Sequence, residues 1–477
     1  MPLILGTNSI KETGYDVANS ARFDDGSSDN IQRTYGTPTN SKIYALSWWV
    51  KLSTDPTVGA AGHDLWGERA DKDNRVFMGL NGTGQFDFFE KSGGSSVLEL
   101  KTNRLFRDVG AWYHFLLLGD STQSTASNRI KLYINGVQET SFATETYPSQ
   151  NYDFRLAINT TKYFARTGLG GSGLSTNYLE GYLAEAVFVD GTVTAHTDYG
   201  EFDEDSPNIW KPKDVSGLTF GNNGFYLDFE NASSLGADVS GNGNNFTVNN
   251  LTSIDQTTDT CTNNWNTLNG LYTASNLNYS QGNTQINAGA DGWFISAGTI
   301  GIASGKFYFE IECDTLGSGT YSSESMKIGI INSEDINDGS GEVNQNNGNH
   351  YQSDGNSGNN GSLSGVGNFA TYTNGDIIGV AVDMDNRKIY YHKNGTYINS
   401  GNPSTGSNGF DISSSYDFVL PCVSMYESGT IAKTNFGTSY PDSVSSGNSD
   451  ANGYGNFEYS VPTGFYTINT KNLAEFG

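Results

Sequence analysis

Charge is what this chain has least of. Only 16% of its 477 residues are charged, where an ordinary soluble domain carries about a quarter. Cations are scarcer still: 26 Lys and Arg stand against 52 Asp and Glu, a formal net charge of −26 with a pI near 4.4. Such a surface repels phosphate, which argues against nucleic acid and anionic membranes as partners. The three cysteines, Cys261, Cys313 and Cys422, are too few and too scattered for a disulfide framework or a zinc site, so idle or buried thiols are expected. The longest apolar runs, such as Ile377–Met384, are far short of a membrane span. The opening MPLILG lacks the basic flank and apolar centre of a secretory signal, so a soluble chain without an export signal is expected. No heptads or fibrous repeats occur, which excludes a self-built coiled-coil shaft. No Gly-x-Ser-x-Gly elbow, P-loop or dinucleotide fingerprint occurs either. The five histidines fall at no metal-ligand spacing.

Glycine is plentiful, at 59 residues, and aromatics reach 13%. Aromatic and β-branched residues fill short runs, with Gly, Asn and Ser between them, and no long window carries a 3.6-residue apolar stripe. The pattern is that of an almost all-β chain. Its organising stretch is Arg129–Phe142, RIKLYINGVQETSF. Ile130, Leu132 and Ile134 alternate with Arg129, Lys131 and Tyr133, so one face can be buried and the other wetted. Asn135-Gly136 supplies the two positive-φ residues of a type I′ turn, which pairs Val137 with Ile134. Strict pairing would then turn Glu139 inward, which predicts a bulge or a strand end there. A second copy, NRKIYYHKNGTY, lies at Asn386–Tyr397. Two hairpins of one kind, so far apart, predict two β-sandwich modules.

Chain order supports that division. Ile43–Leu52 alternates, with Leu46, Trp48 and Val50 on one face and Ser47, Trp49 and Lys51 on the other. Trp112–Leu118 reads as a buried strand, and Leu179–Asp190 closes the first module. Glu201–Asp205, EFDED, precedes Pro207 and Pro212 and reads as a loop. Gly224–Phe229 reads as a returning strand. A shift to Gly, Asn and Ser follows, centred on Ser240–Asn244, and marks a connecting segment over 231–290. The expected division is therefore 1–230, 231–290, 291–460, and a closing strand and tail over 461–477. In the second module Lys306–Glu312, Met326–Ile331, Ile377–Met384, Lys388–His392 and Asp417–Met425 read as strands. Asn332–Asn368 is a long polar excursion, and loops of that length are usually functional or mobile.

These residues resemble known families. LSWWVK at 46–51, Trp112-Tyr113-His114, RIKLYINGV at 129–137 and Glu180–Gly191 together resemble a concanavalin A-like, laminin-G-like jelly roll over roughly 20–230. GKFYFEIE at 305–312, MKIGIIN at 326–332, GDIIGVAVDMDNRKIYYHKNG at 375–395 and FVLPCVS at 418–424 resemble a SPRY domain over 291–436. The fold class expected is all-β: two antiparallel sandwiches, concanavalin A-like followed by SPRY-like. The order of modules, with NGFYLDFEN, SGNGNN, YPSQNYD and PTGFYTINTKNL, is similar to virion proteins of tailed phages, particularly marine ones. The resemblance implies a fibre, spike or adhesin component on the outside of the particle. Other virion proteins and a host-cell surface glycan or receptor are the partners it implies. A capsid or tail decoration protein that packs only against other virion proteins is the alternative.

Concanavalin A-like folds include glycan hydrolases, which place paired carboxylates on one face of a strand. Glu201, Asp203 and Asp205 come nearest, but Asp205 stands where a Glu is usual and prolines flank the run, so no enzyme is expected. For calcium, which takes oxygen ligands, Asp24, Asp25 and Asp29, or Asp64, Asp71 and Asp73, are weak candidates; no other cofactor is expected. Glycan binding needs exposed aromatics for sugar faces and short polar groups for hydroxyls. Trp66 with His63 and Asp64 meets this description in the first module, and His350, Tyr351, Asp354 and Tyr372 in the second. The competing reading is that Trp66 packs beneath its own loop and that 332–368 is a solvated excursion.

Overall fold

The computed structural model describes residues 4, 9–57, 62–166, 177–271, 276–336, 341–438 and 444–477. The chain divides into two compact units, Thr13–Thr262 and Asn263–Gly477, the second completed by Met1–Glu12. Both are antiparallel β-sandwiches. Among the described residues no helix is long and apolar enough to cross a membrane.

In the amino-terminal unit one sheet runs, in spatial order, Val137–Gln138, Ile130–Ile134, Trp112–Asp120, Ile43–Leu52, Gly181–Asp190, Ser20–Phe23 and Gln256–Thr257. The other runs Phe142–Thr146, Ser95–Leu105, Gln85–Ser92, Arg75–Leu80, His63–Arg69, Thr161–Phe164, Asn30–Thr34 and Thr247–Asn249. Between them lie rings in mutual contact, including Trp48 on Phe115 and Phe86 on Phe115. The Asn135-Gly136 turn forms with φ of 47° and 76° and pairs Val137 with Ile134. The strand ends at Gln138, and Glu139 instead accepts from the Thr140 and Ser141 amides and pairs with Arg104.

The sheet bearing Ile43–Leu52 is not wetted on its second face. Trp49, Trp112, Tyr182, Ala184 and Trp210 form a second apolar layer there. Lys51 is wholly buried, its Nζ 2.7 Å from Asp259 and 5.7 Å from the centroid of the Tyr182 ring. Two of the covering residues, Trp210 and Asp259, come from well beyond the first hairpin. This also corrects the reading of 231–290 as a connecting segment. Thr247–Asn249 and Gln256–Thr257 extend the two sheets of the first unit, while Leu277–Ser280 and Gln285–Ala288 belong to the second. The Gly/Asn/Ser run at 238–245 is turn chemistry rather than slack. The Asp238 carboxylate accepts from the amides of Tyr226, Ser240 and Asn244, and the side-chain amides of Asn242 and Asn244 donate to carbonyls of 221–224. EFDED likewise is not all loop: Gly200–Phe202 pairs with Trp210–Pro212.

In the carboxy-terminal unit one sheet is ordered Leu277–Ser280, Gln285–Ala288, Ile431–Asn435, Lys306–Thr315, Asp376–Asp383, Lys388–Lys393 and Thr396–Tyr397. The other is Phe294–Ala297, Val419–Met425, Met326–Asn332, Gly348–Gln352, Ser357–Asn359 and Ser362–Leu363. The polar excursion at 332–368 therefore contributes three strands, and Gly348–Gln352 is buried throughout. The tail carries Tyr466–Thr467, parallel to Lys306–Thr315, and then a helix, Thr470–Phe476, capped by the Asn469 side chain.

Candidate functional site

None of the seven residues expected to touch a glycan lies on the surface. Trp66 is fully buried, edge-on to Phe164 with ring centroids 6.4 Å apart. His63 is buried against Thr54, 3.0 Å from its carbonyl, and burial lowers its pKa. Asp64 is buried on the same strand. Tyr351 and Tyr372 meet in the core at 5.2 Å, and the Tyr372 hydroxyl donates to the carbonyls of Met326 and Tyr351. His350 is buried on the opposite face of its strand. Burial, with Lys327 nearby, holds it to about 3, and neither ring nitrogen has a hydrogen-bond partner among the described residues. Asp354 is buried and accepts from the Asn356 amide. For the rings of the second module, Tyr351 and Tyr372, the physical reason is local composition. In stretches dominated by Gly, Asn and Ser, the few rings are the only local material for a core, and burial claims them.

Among the described residues neither set of calcium candidates brings three carboxylates together. Asp64 lies seven residues before Asp71 along a strand and its turn, a span of about 20 Å. Asp71 closes that turn, accepting from the amides of Asp73 and Asn74. Asp24 and Asp29 also spend carboxylate oxygens on amides, of Gly26 and Asp24 respectively. Among the described residues no three acidic, His or Cys side chains form a metal-holding group. In the EFDED run, Asp203 accepts from the amides of Asp205 and Ser206 and from Lys211. The Lys211 side chain, before those amides, holds its carboxyl below the usual range, the opposite of what a general acid requires.

Among the described residues, two clefts of the amino-terminal unit open to solvent on either side of the strand Ile130–Ile134. The outer cleft, about 240 Å³, is floored by Tyr44 and Leu118 and rimmed by Asp120, Gln123, Asn128 and Lys131. The second, about 230 Å³, enters the seam between the sheets past Ile130, Leu132, Phe142, Glu139, Glu145 and Tyr147. Asn128 and Lys131 border both. The loop between them is rigidly made. The Arg129 guanidinium donates to the carbonyls of Gln123, Ser124 and Pro148 at 2.8–3.0 Å. Burial raises Asp120, but hydrogen bonds from Thr122 and Gln123 outweigh it and hold the carboxyl below its ordinary range. Lys131 makes no ion pair among the described residues, so its ammonium is free to meet a ligand. A short-chain polar rim, one cation and an apolar floor can hold a polyhydroxylated ligand.

Residues 25–197 match the family described as the concanavalin A-like lectin/glucanases superfamily, and residues 306–439 match the SPRY domain. The chain carries a concanavalin A-like domain followed by a SPRY domain. No curated protein matches it. Among solved structures it is similar to the SPRY domain of human HERC1, at 19% identity over 32% of this chain and 87% of that one, with a TM-score of 0.24. It is similar also to a SAP-like pentraxin from Limulus polyphemus, at 13% identity over 39% and 82%, with a TM-score of 0.28. A Bacteroides ovatus protein described as a candidate carbohydrate binder is similar at 12% identity over 49% and 59%, with a TM-score of 0.32.

Both clefts of the concanavalin A-like domain lie within the matched residues. The sequence places Lys131 on the outward face of the organising hairpin, but the glycan contacts expected from sequence lie elsewhere, at 63–66 and 350–372. The part played by 120–129 carries no comparable signal, since a loop braced by one arginine looks in sequence like any polar turn.

Proposed function

We propose that this protein binds a host-cell surface glycan without cleaving it, through the clefts beside Ile130–Ile134 of its concanavalin A-like domain, and that it is displayed on the outside of a tailed-phage particle. The observation that carries the binding site is the rim shared by Asn128 and Lys131, held by Arg129 between two solvent-open clefts. The family matched by 25–197 includes lectins, which supports a sugar as the ligand. The order of the two domains and the wording around 224–250 and 462–473 support the virion setting. Many copies on one particle would multiply weak contacts, since linked sites raise avidity without new contacts.

The test is binding of the purified chain to host cells and to a glycan array. Lys131→Ala and Asn128→Ala are expected to weaken binding about tenfold each, with no release of reducing ends from host polysaccharide. Cell binding untouched by both substitutions would move the site elsewhere, and reducing-end release would make the protein a hydrolase. Antibody labelling of intact particles checks the location.

A further inference from the structure

The SPRY domain carries a half-exposed aromatic cluster that no sequence motif announces. Tyr321, Tyr426 and Trp293 form a run of rings, 5.2 Å between the first two and 5.4 Å between the last two, each pair edge-on. Tyr321 is 48% exposed, and the other two are partly so. Neither tyrosine hydroxyl is bonded to protein among the described residues. The Lys327 ammonium lies 4.2 Å from the centroid of the Trp293 ring and pairs with Glu342.

The rings are fixed before any ligand arrives. The Gly292 amide donates to the Tyr426 carbonyl, and the Tyr426 amide to the Ser325 carbonyl. The Tyr321 amide donates to the buried Glu427 carboxylate at 2.6 Å. A Cβ at Gly319 would sit 1.9 Å from that carboxylate, so the turn packs closely over it. Exposed rings held this way lose little entropy on binding.

We infer that Tyr321, Tyr426 and Trp293 form a binding site for a neutral hexose polymer, separate from the clefts of the concanavalin A-like domain and independent of them. Aromatic faces take the C–H surface of a pyranose, and free phenol hydroxyls and the flanking Ser322, Ser323 and Ser428 take its hydroxyls. Charge selects the neutral class. Among the described residues Asp291, Glu342 and Glu427 lie beside the rings and Glu324 in the turn that follows Tyr321, and the cation there, Lys327, is paired with Glu342, so a uronate or sialate meets net repulsion. Size argues against a protein partner. The exposed Leu363 lies on the outermost strand of the six-stranded sheet, four strand spacings or about 19 Å from the strand that Tyr426 follows, and three rings make an apolar patch of sugar dimensions rather than the roughly 800 Å² a stable protein contact buries per partner.

The experiment uses the full chain with four neutral polymers, laminarin, galactomannan, dextran and amylopectin, and alginate as the anionic control. Affinity electrophoresis reads binding, and hydrogen exchange with oligosaccharides of each polymer locates it. At least one neutral polymer is expected to retard the chain and protect peptides over 319–328 and 425–430. Tyr321→Ala should weaken retardation about tenfold, and Tyr321→Phe far less. Peptides over 118–131 report the other clefts in the same run, so failure of one site is distinguishable from failure of the other. No protection over 319–328 with any neutral polymer, protection by alginate alone, or retardation indifferent to Tyr321→Ala at a site mapped to these peptides would each overturn the inference. Saturable binding of host surface proteins that Tyr321→Ala abolishes, without polymer protection, would assign the rings to a protein partner instead.

Discussion

Replacing Glu185 by Gln should make the concanavalin A-like domain less sensitive to a rise in pH between about 5 and 8. Glu185 sits at a bulge in Gly181–Asp190, with φ of 50° and the register slipping between Ala184 and Val187. The bulge buries its carboxyl on the outer face of the sheet, 5% exposed. There Tyr226 donates at 2.8 Å and Tyr15 at 3.3 Å. Burial pushes the carboxyl up to about 8; the two tyrosines pull the other way, and Asp228 and Glu230 add to the rise. An unfolded chain ionises this group near 4.5. Between 4.5 and 8 the native state thus holds a proton that the unfolded state has released, so stability falls as pH rises, and flattens above 8. At about 1.4 kcal/mol per pH unit the full loss is about 3–5 kcal/mol. Urea unfolding followed by tryptophan fluorescence, at intervals from pH 5 to 9, measures it. Other buried groups, such as Glu90 and Lys162, both moved to about 7, titrate in wild type and variant alike and cancel in the difference. The variant is expected to gain on wild type along that slope and then hold its gain. Parallel stability curves over the whole range would refute the reasoning, and with it the clamping of Tyr15 and Tyr226 onto this sheet.

Two further outcomes follow from the same unit. Asp259→Ala removes the carboxylate paired with the buried Lys51 ammonium and the acceptor for the Trp112 indole; it should cost about 3–5 kcal/mol in the same denaturation, whereas a chain in which 231–262 were a mere connection would tolerate it. Gly136→Ala brings a methyl within 2.2 Å of the Trp210 ring at a φ of 76°, so a loss of about 2 kcal/mol or more is expected from strain and overpacking together, read as a lowered melting temperature.

Local order was legible where it depends on neighbours in sequence. The two Asn-Gly hairpins, the strands at Trp112–Asp120 and Asp376–Asp383, and the all-β class follow from period-two alternation and from residues that tolerate positive φ. The cover on each sheet was not legible. Alternation in Ile43–Leu52 separates Trp48 from Trp49, but it cannot say that Trp210 and Asp259, some 160 and 210 residues onward, roof the second face. The Asn-rich run at 238–245 misled for a related reason. Asparagine that bonds backbone carbonyls across a turn has the same composition as asparagine in a solvated tether, and only the carbonyls at 221–224 tell them apart.

The same logic explains why the aromatic residues chosen as ligand contacts were buried while those in contact with solvent were passed over. A ring in a polar stretch, such as Tyr351, has no local apolar competitor and is drawn inward to cover its own backbone. A ring beside other large apolar residues faces competition for a finite interior. Phe294 and Met425 pack against or within the SPRY core, so their neighbours Trp293 and Tyr426, one residue out of phase, take the opposite face. Tyr321 joins them through the Glu427 carboxylate rather than through any periodicity. In a chain short of charge, surplus aromatics of this kind become exposed chemistry, and they occur where apolar residues are dense rather than where the sequence turns polar.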